Sequence, residues 1–192
     1  LKREVIKIQS VKSRLINQEY GYLRIAQFQN NTAADAKQHL DNLAASTKNG
    51  LHGLILDLRN NPGGVLGGAI QLSDLFLKEG MIVYTEGRNS DTREQYLASG
   101  NGEYTQLPMV VLINGGSASA SEIVAGALQD HRRALIVGTN SFGKGSVQTI
   151  LPINDDNAIK LTTALYYTPE GRSIQAEGIV PDMAPRTHDG KG

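Results

Sequence analysis

The chain has 192 residues, of which 40% are hydrophobic, so it can form one domain with a substantial core, and no change in composition requires two. Lysine and arginine together number 19, as do aspartate and glutamate, and this balance without a basic cluster argues against nucleic acid as the main partner. Cysteine is absent, which excludes a thiol nucleophile and a cysteine-ligated metal, and no apolar run approaches the roughly 18 residues of a membrane span.

Hydrophobic periodicity predicts strands and helices along most of the chain. Strand patterns occur at 3–15, which holds one or two strands, and at 20–28, 53–58, 81–84, 109–113, 134–138, 146–153 and 158–167. Helical patterns occur at 32–48, 69–77 and 119–129. The last two strands flank the polar sequence Asn-Asp-Asp-Asn and predict a hairpin, whereas 86–106 is polar with little periodicity and predicts an exposed, mobile loop.

A strand, a glycine-containing turn and an amphipathic helix occur twice in the same order. The first unit spans 53–77 with the turn Asn-Asn-Pro-Gly-Gly at 60–64, and the second spans 109–129 with two glycines at 115–116. This repetition predicts a single α/β domain of strand-helix units. A glycine pair more often marks a turn that needs positive φ, but sites in open α/β sheets collect at the carboxyl ends of strands. Both turns are therefore candidate parts of a site.

The turn after the strand at 109–113 carries three serines. Its sequence is Asn-Gly-Gly-Ser-Ala-Ser-Ala-Ser-Glu over 114–122. Ser119 and Glu122 have capping-box spacing ahead of an apolar helical run, which predicts Ser119 at a helix N-terminus. Amide groups there, including that of Ala120, lack helical partners and can stabilise an oxyanion beside a serine hydroxyl.

A serine nucleophile needs a base, and Lys144 is the best candidate. The four histidines lie in polar or turn-like sequence, at His39, His52, His131 and His188. Lys144 lies between two glycines and just before the strand at 146–153. It has to be neutral to act as a base, which requires desolvation, and the apolar Phe142 is two residues away. If the strand begins near Lys144, alternation places Gln148 on the same face, where its amide can hold the lysine amine.

Each of these features has other interpretations. A serine at a helix N-terminus is usually only a cap, and a lysine between glycines is usually a loop residue. Residues 138–144 also match the first seven positions of the phosphate-binding loop G-x-x-x-x-G-K-[ST], but Gly145 occupies the eighth, and a strand is predicted where that loop requires a helix. The adjacent Asp155 and Asp156 are predicted to be solvated turn residues, so no metal or nucleotide cofactor is expected.

Together these motifs resemble the carboxyl-terminal processing (tail-specific) serine protease family. The resemblance lies in segments 56–64, 114–130, 138–148 and 171–182, in the family's order. It implies a spiral sheet of the crotonase and Clp-protease type, with Ser119 as nucleophile, Lys144 as general base and Gln148 as the residue that positions the lysine. The implied oxyanion donors are the amide of Ala120 and that of Gly63 or Gly64, a choice the sequence leaves open.

Asp130 belongs to the second of these segments. It lies eleven residues after Ser119, which is about 16 Å along a helix axis at about 1.5 Å per residue. We therefore expect Asp130 to be a structural residue at the helix end, without direct contact with the serine.

The resemblance also implies a setting. Residues 1–185 are expected to form the protease core, without the PDZ domain that normally precedes it, and 186–192 a disordered tail, so the chain is an excised core or an unusual member. Its first residues are not typical of a signal peptide. The expected partners are protein or peptide substrates with unstructured apolar carboxyl termini, in the periplasm or another extracytoplasmic compartment of bacteria. A homo-oligomer is possible. The alternative is an inactive peptide-binding or scaffolding relative.

Overall fold

A computed structural model of the chain describes residues 9–88, 92–154 and 157–185. These residues form nine strands and three helices, and no helix among them is long and apolar enough to cross a membrane. In chain order the elements are β1 (Val11–Ile16), β2 (Tyr20–Ile25), α1 (Thr32–Ala45), β3 (Gly53–Asp57), α2 (Leu66–Asp74), β4 (Met81–Gly87), β5 (Glu94–Leu97), β6 (Met109–Ile113), α3 (Ala120–Asp130), β7 (Leu135–Gly138), β8 (Ser146–Asn154) and β9 (Asn157–Tyr167).

A five-stranded sheet in the order β1-β2-β3-β6-β7 forms the centre of the molecule. Only β1 and β2 pair antiparallel, and the remaining neighbours are parallel. The β3–α2 and β6–α3 units are the two predicted strand-helix repeats, and the parallel pairing of β3 with β6 sets their carboxyl ends side by side. The α/β class predicted from the sequence is confirmed.

The main core contains one face of this sheet and the apolar sides of the helices. In β6 alternate residues are buried, namely Met109, Val111 and Ile113. Leu72 of α2 and Val124 of α3 belong to the same buried cluster. Helix α3 is buried at every position from Ala120 to Leu128, so its first turn is fixed by packing on both sides.

A second, antiparallel sheet has the order β5-β4-β9-β8. Its last two strands form the predicted hairpin, and β8 lies at the edge. The pairing continues just before β8, because Tyr166 N–H donates to the carbonyl of Gly145 over 2.7 Å. This bond anchors the start of β8 directly after Lys144.

Several predicted boundaries differ from the observed ones. The segment 86–106 is not simply a loop, because it contains β5, which pairs with β4. Its four residues are mostly exposed at a sheet edge, so the strand has no apolar alternation that the sequence could reveal. Helix α2 begins three residues earlier than predicted and ends three earlier. The predictions for Asp155, Asp156 and the tail 186–192 lie outside the described residues.

Candidate active site

The turns that follow β3 and β6 are joined by hydrogen bonds. Asn114 accepts from the N–H of Asn60 over 2.9 Å and donates its side-chain amide to the Asn60 side chain over 3.0 Å. The Ser117 hydroxyl donates to the carbonyl of Leu58 over 2.8 Å. The two turns therefore form one rigid unit at the carboxyl edge of the sheet.

Asn61 is the fully buried centre of this unit. Its side chain donates to the carbonyl of Ile25 and accepts the N–H of Gly63, over 2.8 and 2.9 Å. Its own carbonyl accepts the N–H of Ala118 and the hydroxyl of Ser121, over 3.0 and 2.9 Å. One asparagine thus fixes the Asn-Pro-Gly-Gly turn against both β2 and the serine turn.

Ser119 has an unusual backbone conformation at the entry to α3. Its φ is 53° and its ψ is −113°, a combination that non-glycine residues rarely adopt. The Ser119 N–H donates to the Glu122 carboxylate over 2.8 Å, as a capping box requires. Its neighbours Ser117 and Ser121 are fully buried and donate to main-chain carbonyls. Among these three serines, only Ser119 is partly accessible.

Gly63 lies directly against Ser119. A Cβ on Gly63, whose φ is +102°, would stand 2.8 Å from the Ser119 Cβ and 2.8 Å from the carbonyl oxygen of Ala118. Only glycine fits this contact without displacing the serine turn. The sequence leaves open which glycine donates to an oxyanion, and the two glycines differ in their hydrogen bonds. The Gly63 N–H is occupied by Asn61, whereas that of Gly64 has no partner within the described part of the chain.

Two unpaired amides therefore belong to the two turns. The Ala120 N–H, at the first position of α3, also donates to no group among the described residues. Ala120 is nearly fully buried, while Gly64 is exposed and precedes the first turn of α2. Both helices begin at these turns, and helix N-termini favour negative charge.

The loop before β8 is attached to the serine turn through its backbone. Phe142 N–H donates to the carbonyl of Ser117 over 2.9 Å, and Lys144 N–H donates to the Glu122 carboxylate over 2.9 Å. Gly145 N–H donates to the Gln175 side chain over 3.0 Å. A Cβ on Gly145 would stand 2.3 Å from the main chain of Gln175, so a glycine is needed after the lysine.

The side chains of this loop are open to solvent. Lys144 and Gln148 are exposed, and Phe142 is 65% exposed instead of covering the lysine. This differs from the desolvated surroundings expected for Lys144, because β8 is an edge strand with no neighbour on one side. No side-chain hydrogen bond joins Lys144 to Gln148 or Ser119 among the described residues. Backbone hydrogen bonds connect the lysine loop to the serine turn, and the roles of Ser119, Lys144 and Gln148 stay predictions.

Other residues considered from the sequence lie elsewhere. Asp130, at the far end of α3, accepts hydrogen bonds from Arg172 and from the N–H of Glu170. His39 contacts Ser13, and His131 contacts the carbonyl of Met81. His52 lies near Glu19, and His188 is outside the described residues. None of the three described histidines makes a hydrogen bond to the serine turn.

The phosphate-loop interpretation of 138–144 fails on two counts. Strand β8 follows the loop where a helix is required, and the loop amides that would hold phosphate donate inside the protein instead. Phe142 N–H is bonded to Ser117, and those of Gly143 and Lys144 to Glu122.

The sequence did not reveal two residues that organise the site. The sequence around Asn61 indicates only a turn, and the spacing of Glu122 from Ser119 indicates only a helix cap. Their further contacts join segments that lie 19 to 60 positions apart in the chain, as in Glu122–Ser141 and Asn61–Ser121. A single sequence carries no signal for such long-range bonds.

Comparison with known proteins gives the family of this fold and site. Residues 19–184 match Peptidase family S41. The chain belongs to this family. It is 52% identical over 182 residues to a carboxy-terminal-processing protease of Bartonella bacilliformis, covering 94% of this chain and 42% of that protein. A carboxyl-terminal-processing protease of Synechocystis sp. is 43% identical over 186 residues, with 95% and 42% covered.

Solved structures agree with this assignment. The photosystem II D1 C-terminal processing protease has a TM-score of 0.84 at 34% identity, covering 96% of this chain and 50% of that one. A lipoprotein from Streptococcus agalactiae has the same fold, with a TM-score of 0.75 at 16% identity over 94% of this chain and 67% of that one. The predicted family and its serine-type peptidase class are confirmed. The chain spans less than half the length of these two curated relatives.

Proposed function

We propose that this chain carries the catalytic site of an endopeptidase that cleaves protein substrates near their carboxyl termini through an acyl-enzyme on Ser119. In this proposal Lys144 is the general base and Gln148 positions its amine. The amides of Ala120 and Gly64 form the oxyanion hole, and no metal or nucleotide takes part.

One observation carries the proposal. Ser119 is the only partly accessible serine of its turn, and two nearby stretches of backbone carry an N–H without a partner among the described residues: Ala120, which follows Ser119, and Gly64, which follows the Gly63 that contacts Ser119. A backbone N–H without a hydrogen-bond acceptor destabilises a folded protein unless it donates to a ligand or to water. A tetrahedral oxyanion formed on attack by the Ser119 hydroxyl would accept hydrogen bonds from such a pair.

The reaction follows the usual sequence of acyl transfer. The neutral Lys144 amine takes the hydroxyl proton as the Ser119 oxygen attacks the scissile carbonyl, and the two amides hold the resulting oxyanion. The lysine then gives the proton to the leaving amine as the peptide bond breaks. Water activated by the same lysine cleaves the ester and restores the serine.

The Lys144 amine has to lose its water to be neutral at physiological pH, and the described residues leave it exposed. We infer that a bound substrate supplies this cover. Two apolar side chains are exposed in this part of the chain. Phe142, in the loop that bears Lys144, is 65% exposed, and Val65, directly after Gly64, is 40% exposed. An extended apolar chain end laid over them would also screen the lysine. This fits the relatives' names, which describe carboxyl-terminal processing.

The proposed substrates are unstructured proteins or peptides with apolar carboxyl termini, met in the periplasm or another extracytoplasmic compartment. The test is mass spectrometry of the products formed from such a substrate by the chain and by Ser119→Ala. We expect new fragments cut near the carboxyl terminus with the chain and none with the variant. The same fragments from both proteins would refute Ser119 as the nucleophile. Substrate binding without any cleavage would favour the inactive, peptide-binding alternative.

A further inference from the structure

The carboxylate of Glu122 lies between the turn that bears Ser119 and the loop that bears Lys144. One of its oxygens accepts the backbone N–H of Ser119 over 2.8 Å and that of Lys144 over 2.9 Å. The other accepts the N–H of Gly143 and the hydroxyl of Ser141, each over 2.6 Å. Glu122 itself is fully buried. Both parts of the site therefore donate to one carboxylate.

A helix cap explains only the first of these bonds. A capping box needs the N–H of Ser119, whereas the other three donors come from residues 19 to 22 positions further along the chain. An ionised carboxylate offers about four lone-pair sites and no donor, and here four donors fill them. A neutral carboxamide in the same place would turn its NH2 group towards donors of this site. Main-chain N–H groups can only donate, so hydrogen bonds that the carboxylate accepts would be lost.

The Ser141 hydroxyl extends this arrangement to a third segment. It accepts the N–H of Ile179 over 2.6 Å while it donates to Glu122, so the direction of its proton is fixed. Ser141 is only 6% exposed. The chain of bonds from Ile179 through Ser141 to Glu122 fixes the lysine loop from both sides, and such networks strengthen their members.

We propose, on the basis of the function proposed above, that Glu122 is a positioning residue that holds the Lys144 loop at a fixed distance from Ser119. Hydrogen bonds to a charged acceptor are stronger than neutral ones, so this carboxylate can also maintain the rare φ of Ser119. A displacement of about 1 Å between reacting groups can cost about 100-fold in rate. The loss of Glu122 should therefore lower kcat and leave KM nearly unchanged.

Three variants of the full chain test this proposal in steady-state cleavage of an unstructured peptide. Glu122→Gln keeps the shape and removes the charge, and Ser141→Ala removes one of the four bonds and keeps the charge. Asp74→Asn is the matched control, because Asp74 accepts the N–H and the hydroxyl of Ser99, over 2.6 and 2.7 Å, on an exposed part of α2.

We expect Glu122→Gln to lower kcat at least about 100-fold with KM within about twofold, and Ser141→Ala to lower kcat about tenfold. Asp74→Asn should keep both constants. Titration with an acylating probe separates positioning from folding. The proposal would be overturned if Glu122→Gln contained fewer competent molecules than the unchanged chain and each of them had normal kcat. Normal kcat in a fully folded Glu122→Gln would also overturn it. If Glu122→Gln does not fold, normal kcat in Ser141→Ala would overturn it.

Amide hydrogen exchange tests the same contacts without catalysis. We expect the N–H groups of Ser119, Gly143 and Lys144 to be protected in the unchanged chain and to exchange at least about tenfold faster in Glu122→Gln or Ser141→Ala. Rapid exchange of all three in the unchanged chain would overturn the proposal. A chain that is protected but shows no turnover that depends on Ser119 would refute the proposed function and leave the Glu122 contacts established.

Discussion

The serine side of the site, residues 60–64 and 114–120, and the lysine side, residues 139–148, differ in what the chain fixes. On the serine side the turns are joined by buried asparagine and serine side chains, and the packing fixes Gly63 and Ala118 around Ser119. On the lysine side the backbone is fixed by Glu122 and Ser117, but Lys144 and Gln148 are exposed. In the proposed mechanism the nucleophile and the oxyanion amides are thus preorganised, whereas the base still needs to be covered.

This difference has a physical origin. The serine side lies at the carboxyl ends of two paired parallel strands, where each turn can bond to the other. The lysine side runs into β8, an edge strand of the second sheet that has a neighbour on one side only. Substitutions on the serine side should therefore affect both stability and activity, while those of exposed lysine-side residues should affect activity alone.

The largest effect is expected for Lys144→Ala. Removal of the base should lower kcat/KM by about 1,000-fold or more, and Lys144→Arg should not restore it, because arginine stays protonated in proteins. The melting temperature should hardly change for either variant, since the side chain is exposed. Peptide cleavage and thermal unfolding measure both, with the exposed Lys48→Ala as the control. Appreciable activity in the arginine variant would indicate an electrostatic role instead.

Gly63→Ala should come next. The new methyl group would meet Ser119 and Ala118 at 2.8 Å, and alanine would have to adopt a φ of +102°. We expect a loss of about 100-fold in kcat/KM together with a lower melting temperature. Gly67→Ala is the matched control. Gly67 is a residue of α2 whose Cβ would meet no other atom, so alanine there should stabilise the helix slightly. Full activity in Gly63→Ala would contradict the close contact of the two turns.

Gln148→Ala tests the proposed role of Gln148. If Gln148 holds the lysine amine in the substrate complex, kcat should fall about tenfold, because the amine would lose the hydrogen bond that orients it. The exposed Gln106→Ala serves as the control. If both variants keep full kcat, Gln148 does not position the base, and the lysine side depends on its backbone contacts alone.

The smallest effect on activity is expected at Asp57, the buried last residue of β3. Burial alone would raise the pKa of Asp57, but hydrogen bonds from Arg59 and Tyr22 outweigh it and hold the pKa at about 2. A pKa lowered from its usual 3.8 to about 2 corresponds to about 2 kcal/mol of stability. Because the folded-state pKa is depressed, this stability is present above about pH 4 and is lost as the pH falls towards 2.

Urea unfolding of the chain and of Asp57→Asn, at several values between pH 7 and pH 2, measures this contribution. The difference in unfolding free energy between the two proteins should narrow as the pH falls through this range. A constant difference would mean that the Asp57 carboxylate keeps its ordinary pKa. Activity per folded molecule at pH 7 should stay close to that of the unchanged chain, since Asp57 makes no hydrogen bond to Ser119 or Lys144.

Much of the fold could be predicted from the sequence because the repeated units carry strong local signals. The apolar run of β6, the small-residue turn and the capping spacing of Ser119 and Glu122 are all local, and each is present. The edge strand β5 has four mostly exposed residues and no such signal. The difference between Gly63 and Gly64 depends on the hydrogen bond that the Gly63 N–H donates to the Asn61 side chain, which turn composition does not specify. The exposure of Lys144 depends on where β8 lies in its sheet, which periodicity does not reveal.

Locating an acyl group on the protein tests directly whether Ser119 is the nucleophile. The chain is treated with a serine-acylating probe, digested, and analysed by peptide mass spectrometry, alongside Ser119→Ala and Lys144→Ala. We expect one label, on Ser119, that is absent from the first variant and forms far more slowly in the second, with Ser117 and Ser121 unmodified. A label on another serine, or equal labelling rates in the chain and in Lys144→Ala, would contradict this expectation.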